Sequence, residues 1–266
     1  MRALLVPVFF LISVACAQES VGSIAPPDTD FVRVVINRNS FGDWLRHLPL
    51  MPAGSAVYDY RGRVHKSGDD STVAAVVDLD IKGRRLEQCM DILIRLYAQY
   101  LWDVQRAEDL ILPLPGGYWL AWKDWAEGIR PVFHGIDVSL KKSERSDHSY
   151  SQYQNYLRLV YAESHTQQFY YWYQPVPVED VRIGDFFVIR GSKSHAVMIV
   201  DMAYGPDGQK YALVGQGDTP ACQFYLLKSE NSQFWIRLDP DAGRLLLPIN
   251  RKMTWDGLRR FSEMRK

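Results

Sequence analysis

His195-Ala196-Val197-Met198-Ile199-Val200-Asp201-Met202-Ala203-Tyr204-Gly205-Pro206-Asp207-Gly208-Gln209-Lys210-Tyr211-Ala212-Leu213-Val214-Gly215-Gln216-Gly217-Asp218 places two apolar runs on either side of a Gly-Pro-Asp-Gly turn. That arrangement predicts a β-hairpin with strands over 195–203 and 210–215. A hairpin centred on the turn pairs residues whose numbers sum to about 413. Side chains alternate between faces, so Gln216 and Asp218 share a face, and this register puts His195 on the same side. Asp201 lies roughly 20 Å along the strand from His195, at about 3.3 Å per residue, too far to orient that imidazole.

Working outward, 185–189 and 224–227 are further short apolar runs between turn residues, so the last third reads as β-rich. Earlier, 31–36, 56–60 and 72–80 read as strands. Residues 40–47 read as a short helix capped by Ser40, and 149–162 as another helix. The clearest helical pattern spans 84–102, where Leu86, Cys89, Ile92, Leu93, Leu96, Tyr97 and Tyr100 recur at spacings of three and four. Cys89 sits on this apolar stripe within the first two turns. Asp91 and Arg95 fall at i, i+4 on another side, the spacing of a surface ion pair. Helices first and a strand meander later imply one α+β domain over 31–266, its Cys89 helix packed on an antiparallel sheet that carries His195.

The 266 residues are 47% hydrophobic and 23% charged, an ordinary globular composition. Thirty-one Lys and Arg balance 31 Asp and Glu, so the positive field that nucleic-acid binders use is missing. Met1 and Arg2, an apolar run over 3–14 and Ala15-Cys16-Ala17 read as a signal peptide over 1–17, which implies an extracytoplasmic mature protein, periplasmic or secreted. Cys16 is alternatively a lipid-anchor site. No stretch approaches the roughly 18 to 20 apolar residues of a membrane span. Polar residues 18–30, with Pro26-Pro27, read as a flexible tether.

In an oxidising compartment Cys89 and Cys222 either form one disulfide, or one of them is a reactive thiol. A thiol nucleophile needs a helix N-terminus or a cation beside it, a histidine to exchange its proton and a third group to hold the imidazole tautomer. Cys89, His195 and Gln216 supply these roles as catalytic candidates, with Asp218 in reserve and Gln88 and Asp91 as supporting positions. The Cys89 backbone N–H is a better oxyanion donor than the Gln88 side chain, which points about 100° around the helix. The bland readings stand alongside: Cys89 as a buried core cysteine, and His195 and Gln216 as groups satisfying a buried sheet. The aromatics of 118–125 and 169–173 are either core or the walls of a glycan cleft. Six histidines show no metal-binding spacing, and no nucleotide loop is present, so no metal or cofactor is expected. Asp78 and Asp80, sharing a face at a strand end, offer a weak glycosidase-type pair.

The chain order Cys, His, polar partner is that of papain-like enzymes. Gly184-Asp185-Phe186-Phe187-Val188-Ile189 with Ser194-His195-Ala196-Val197 resembles the His-bearing strand of NlpC-type cell-wall amidases. More broadly, Ser40-Phe41 with Trp44-Leu45-Arg46 and Leu48-Pro49-Leu50, Gln88-Cys89 with Asp91 and Arg95-Leu96, Gly184-Asp185 with His195-Ala196-Val197, and Gln216 with Pro220-Ala221 resemble the successive motifs of the bacterial domain of unknown function 4846 family. This resemblance implies an exported bacterial protein and singles out Gln88, Cys89, Asp91, His195 and Gln216; it brings no activity. Ser194 and Cys222 depart from the family pattern, and Asp218 matches no motif. Together these readings lead to the expectation of a papain-like core and a thiol-dependent hydrolase or acyl transferase acting on an amide bond, with a peptide or glycan-peptide of the cell envelope as partner. The alternative is a non-catalytic envelope module binding glycan or peptide in an aromatic cleft.

Overall fold

The computed structural model describes residues 19–262. In chain order its elements are β1 (Val32–Arg33), α1 (Phe41–Arg46), β2 (Val57–Tyr58), β3 (Val64–Lys66), β4 (Val73–Val76), α2 (Cys89–Asp103), β5 (Ile111–Pro113), β6 (Trp119–Ala121), α3 (Trp122–Ala126), β7 (Ile129–His134), β8 (Asp137–Lys142), α4 (Tyr150–Glu163), α5 (Thr166–Trp172), β9 (Phe186–Ile189), β10 (His195–Tyr204), β11 (Lys210–Gln216), β12 (Tyr225–Leu227), β13 (Ile236–Arg237) and β14 (Leu258–Arg259). The fold is mixed α+β around an eight-stranded sheet of order β14-β9-β10-β11-β12-β4, with β1 added to β10 and β13 to β11. Every pairing in it is antiparallel.

The β10–β11 hairpin turns through 205–209 as its sequence dictates, with Gly208 at φ 76° and its N–H on the Gly205 carbonyl. Met198 pairs with Gly215 and Ile199 with Val214, both summing to 413; a bulge before Asp201 shifts the turn end by one. β10 is buried from His195 through Ala203 because both faces of the sheet are covered. On one face Ala196, Met198, Val200, Leu213 and Leu226 join the apolar stripe of α2. On the other Val197, Ile199, Val214, Tyr225 and Leu227 meet Val57, Leu245 and Met253. Each fully buried Leu, Ile or Val contributes about 1.5–3 kcal/mol relative to exposure, so both layers hold the sheet.

Several expectations are corrected. Residues from Glu19 onward are not a tether: Val21 is fully buried, its N–H bonds Leu48, and Trp235 donates to the Ala25 carbonyl. The signal peptide, with Cys16, lies outside the described residues. α2 begins at Cys89 rather than Arg84, because 84–87 close as turns and Gln88 is extended. β4 ends at Val76, so Asp78 and Asp80 lie beyond it and share no strand face. β7 and β8 form a separate two-stranded ribbon that the sequence did not announce, its Val132 and Leu140 on the surface. Among the described residues no helix is long and apolar enough to cross a membrane.

Candidate functional site

Cys89 opens α2 and His195 opens β10, while Gln216 closes β11. Three chain segments therefore deliver these residues to one end of the sheet. His195 Nε2 lies 2.7 Å from Gln216 Oε1, and Gln216 Nε2 donates to the Tyr225 hydroxyl at 2.5 Å. Tyr225 is the direct cross-strand partner of Gln216 on β12, so the three polar side chains form a buried row along one face. With the amide oxygen facing the ring, Nε2 carries the proton and Nδ1 is the unprotonated nitrogen. Nδ1 has no hydrogen-bond partner among the described residues.

The Cys89 thiol is 4% exposed and approaches from the α2 side. Its Sγ lies 3.7 Å from Thr166 Oγ1 at the start of α5, and the Ala196 backbone N–H, next to His195, also acts on it. No hydrogen bond joins Sγ to the imidazole among the described residues. Burial pushes the thiol above its ordinary pKa; the Thr166 hydroxyl opposes this, and Asp91 adds to it. Burial likewise pushes His195 below 6.5, against the Gln216 hydrogen bond. The resting site thus holds a neutral thiol and a neutral imidazole.

Gln88 is tied to the loop after β11, its Oε1 accepting from the Thr219 hydroxyl at 2.8 Å. Gly217 runs so close to α2 that a Cβ there would stand 2.7 Å from Ile92 Cγ2, which explains a glycine at this crossing. Asp218 makes no hydrogen bond or ion pair with His195 among the described residues and acts on it only through its charge; it sits 3.5 Å from His65 on β3 and accepts from the Thr219 N–H. β11 ends at Gln216, so Asp218 lies beyond the strand on which the shared face was expected. Asp91 accepts from the Gln88 N–H at 3.2 Å instead of pairing with Arg95. Arg95 goes to Glu87 at 2.7 Å and to the Asp80 carbonyl. Asp201 is fully buried between Arg33 and Arg46, at 3.1 and 2.7 Å. Cys89 and Cys222 are both free and buried, so the disulfide reading does not hold.

Thr166, Tyr225 and His65 join the neighbourhood without having been singled out by sequence. Only Tyr225 had a signal, in the 224–227 strand, but the eight-residue connection from Gly217 to Phe224 hides its register. Of the aromatics offered as cleft walls, Trp122, Trp125, Phe169 and Tyr173 are buried, Trp119, Tyr170 and Trp172 are half-buried, and Tyr118 and Tyr171 are exposed. No group of three His, Cys, Asp or Glu able to hold a metal ion occurs among the described residues.

The fold is mixed α+β, with Cys89, His195 and Gln216 brought to one end of its sheet. Residues 21–254 match the family described as a domain of unknown function (4846), and the chain belongs to that family. No curated protein and no solved structure matches the chain.

Proposed function

We propose that this is an exported thiol-dependent hydrolase or acyl transferase with a papain-like arrangement, acting on an amide bond of a cell-envelope peptide. The observation that carries the reading is the buried His195–Gln216–Tyr225 row, which leaves Nδ1 as a free base at the sheet end where Cys89 opens a helix. A histidine serving only to satisfy the sheet has no need of two successive side-chain partners to fix one tautomer.

In this mechanism His195 Nδ1 takes the Cys89 thiol proton as Sγ forms its bond to the substrate carbonyl carbon. The contact forms on substrate binding, as the sulfur turns from Thr166 toward the ring. The carbonyl oxygen becomes an oxyanion facing the Cys89 backbone N–H, which has no intrahelical partner because it opens α2. Collapse expels the amine, protonated by His195, and leaves a thioester. Water, deprotonated by His195, or an acceptor amine then releases the acyl group and restores the thiol. Cys89→Ala is expected to abolish both turnover and labelling by a peptidyl vinyl sulfone, and His195→Ala to slow labelling by at least about 100-fold. Unsubstituted protein that neither turns over amides nor labels at Cys89 sinks the proposal. The binding-module alternative has less support, since Trp122, Trp125, Phe169 and Tyr173 among the aromatics it would use are interior, leaving Tyr118 and Tyr171 exposed.

A further inference from the structure

A cavity of about 440 Å³ lies beside the first turn of α2, between the 80–87 segment and α4. Cations dominate its lining: Lys82, Arg84, Arg85 and Arg158 face only the carboxylates of Asp80 and Glu87. Those carboxylates are engaged, Asp80 Oδ1 by the Lys82 N–H and Glu87 by Arg84 and Arg95 at 2.8 and 2.7 Å. Lys82, Arg85 and Arg158 are exposed and have no carboxylate partner among the described residues; Arg158 bonds only Asn155. The wall also includes Tyr161, 7% exposed, whose hydroxyl is buried with no hydrogen-bond partner among the described residues. A buried phenol without a partner is costly, at roughly 1–3 kcal/mol, and calls for a completing group, an ordered water or a ligand.

The chain is electrically neutral overall, so this local excess of positive charge is not a reflection of composition. Two lining residues stand near the thiol's neighbourhood along the chain. Glu87 precedes Cys89 by two residues, at most about 7 Å of chain. Tyr161 lies five residues before Thr166, the residue against Cys89 Sγ. A peptide carries a carboxylate at its C-terminus and as acidic side chains, and guanidinium groups match that group's two oxygens.

We infer that this cavity binds a carboxylate of the molecule on which Cys89 acts, with Arg85 and Arg158 as cationic contacts and Tyr161 as the inner donor. The inference rests on the proposed amide chemistry for its substrate, but its test does not require turnover. Cys89→Ala protein at low salt is titrated calorimetrically with N-acetyl-alanyl-alanine, with its C-terminal amide and with inorganic phosphate. The acid is expected to bind at least tenfold more tightly than the amide, about 1.4 kcal/mol. The Arg85→Gln, Arg158→Gln double variant, altered only at exposed positions, is expected to lose that margin. Tyr161→Phe is expected to weaken the acid while raising the Tm of the ligand-free protein, because it removes the orphaned hydroxyl, and added salt to weaken the acid further. Equal binding of acid and amide, or an unchanged double variant, overturns the site; tighter binding of phosphate overturns its assignment to a carboxylate. Carboxylate binding in a protein without turnover would refute the hydrolase and leave this site standing, while turnover indifferent to Arg85 and Arg158 would do the reverse.

Discussion

Gln216 carries the most consequence per atom in the molecule. Its amide bonds His195 on one side and Tyr225 on the other, all three groups buried. Gln216→Leu would strand both partners, and about 1–3 kcal/mol of destabilisation is expected from each orphaned polar group, read by urea unfolding. Turnover is expected to fall further than stability alone explains, because the imidazole loses the bond that fixes its tautomer; Gln216→Glu, which keeps an accepting oxygen, should retain more. The His195 shift sets the pH behaviour. Its folded pKa lies below 6.5, so the base is already neutral at neutral pH, and activity is expected to fall only on acidification below 6.5. The same shift makes the unfolded chain the better proton binder in that window, so stability is also lost there as pH falls. A rate profile rising through pH 8 to 9 instead would assign the limiting proton to the thiol.

At the scale of the element, α2 is a helix whose first turn is electrostatically loaded. Desolvation, joined by the Glu87 carboxylate, pushes Asp91 up to about 8, against the Gln88 N–H that it accepts. A carboxyl with a raised folded pKa gives stability fully present below pH 3.8 and lost as pH rises toward 8. Asp91→Asn keeps an accepting oxygen for the Gln88 N–H and removes the ionisation. It is expected to raise Tm at pH 8–9 relative to the unsubstituted protein and to flatten the decline between pH 5 and 8; an identical pH dependence in the two proteins would refute this. The body of α2 was legible from its 3.6-residue stripe, whereas its start was not. Residues 84–88 continue the apolar spacing but are held by turns and by the Arg84–Glu87–Arg95 bridge, contacts no periodicity encodes. The hairpin register at the site was legible because a short turn fixes it, and this is why Gln216 was found. Tyr225, Thr166 and His65 were hidden because each arrives by an irregular connection.

For the whole molecule, the decisive contacts join segments far apart in sequence. Asp201, fully buried in β10, collects Arg33 from the N-terminal segment and Arg46 from the end of α1. Asp201→Ala would leave two guanidinium groups without their counter-charge, one of them, Arg46, largely buried. A loss of about 3–5 kcal/mol is expected in equilibrium unfolding, as for other interrupted buried pairs. A loss below about 1 kcal/mol would mean that water reaches both arginines and the bridge holds little. The docking of Val21 and Ala25 belongs to the same scale: polar composition suggested a free leader, but Val21 and the carbonyls of Glu19, Gly22, Ile24 and Ala25 seat it.

The two thiols offer a view of how this interior breathes. Both are enclosed, and burial holds Cys89 above its ordinary pKa and Cys222 at about 12, so a small alkylating reagent that does not mimic the substrate reacts only when the protein opens. Cys89 reports on fraying of the first turn of α2, Cys222 on displacement of the chain that crosses from β11 to β12. Their labelling rates, compared in mild denaturant, therefore act as two clocks in one molecule. Equal rates would mean a single cooperative opening; a faster Cys89 would mean that a gate at the helix tip swings independently of the sheet behind it.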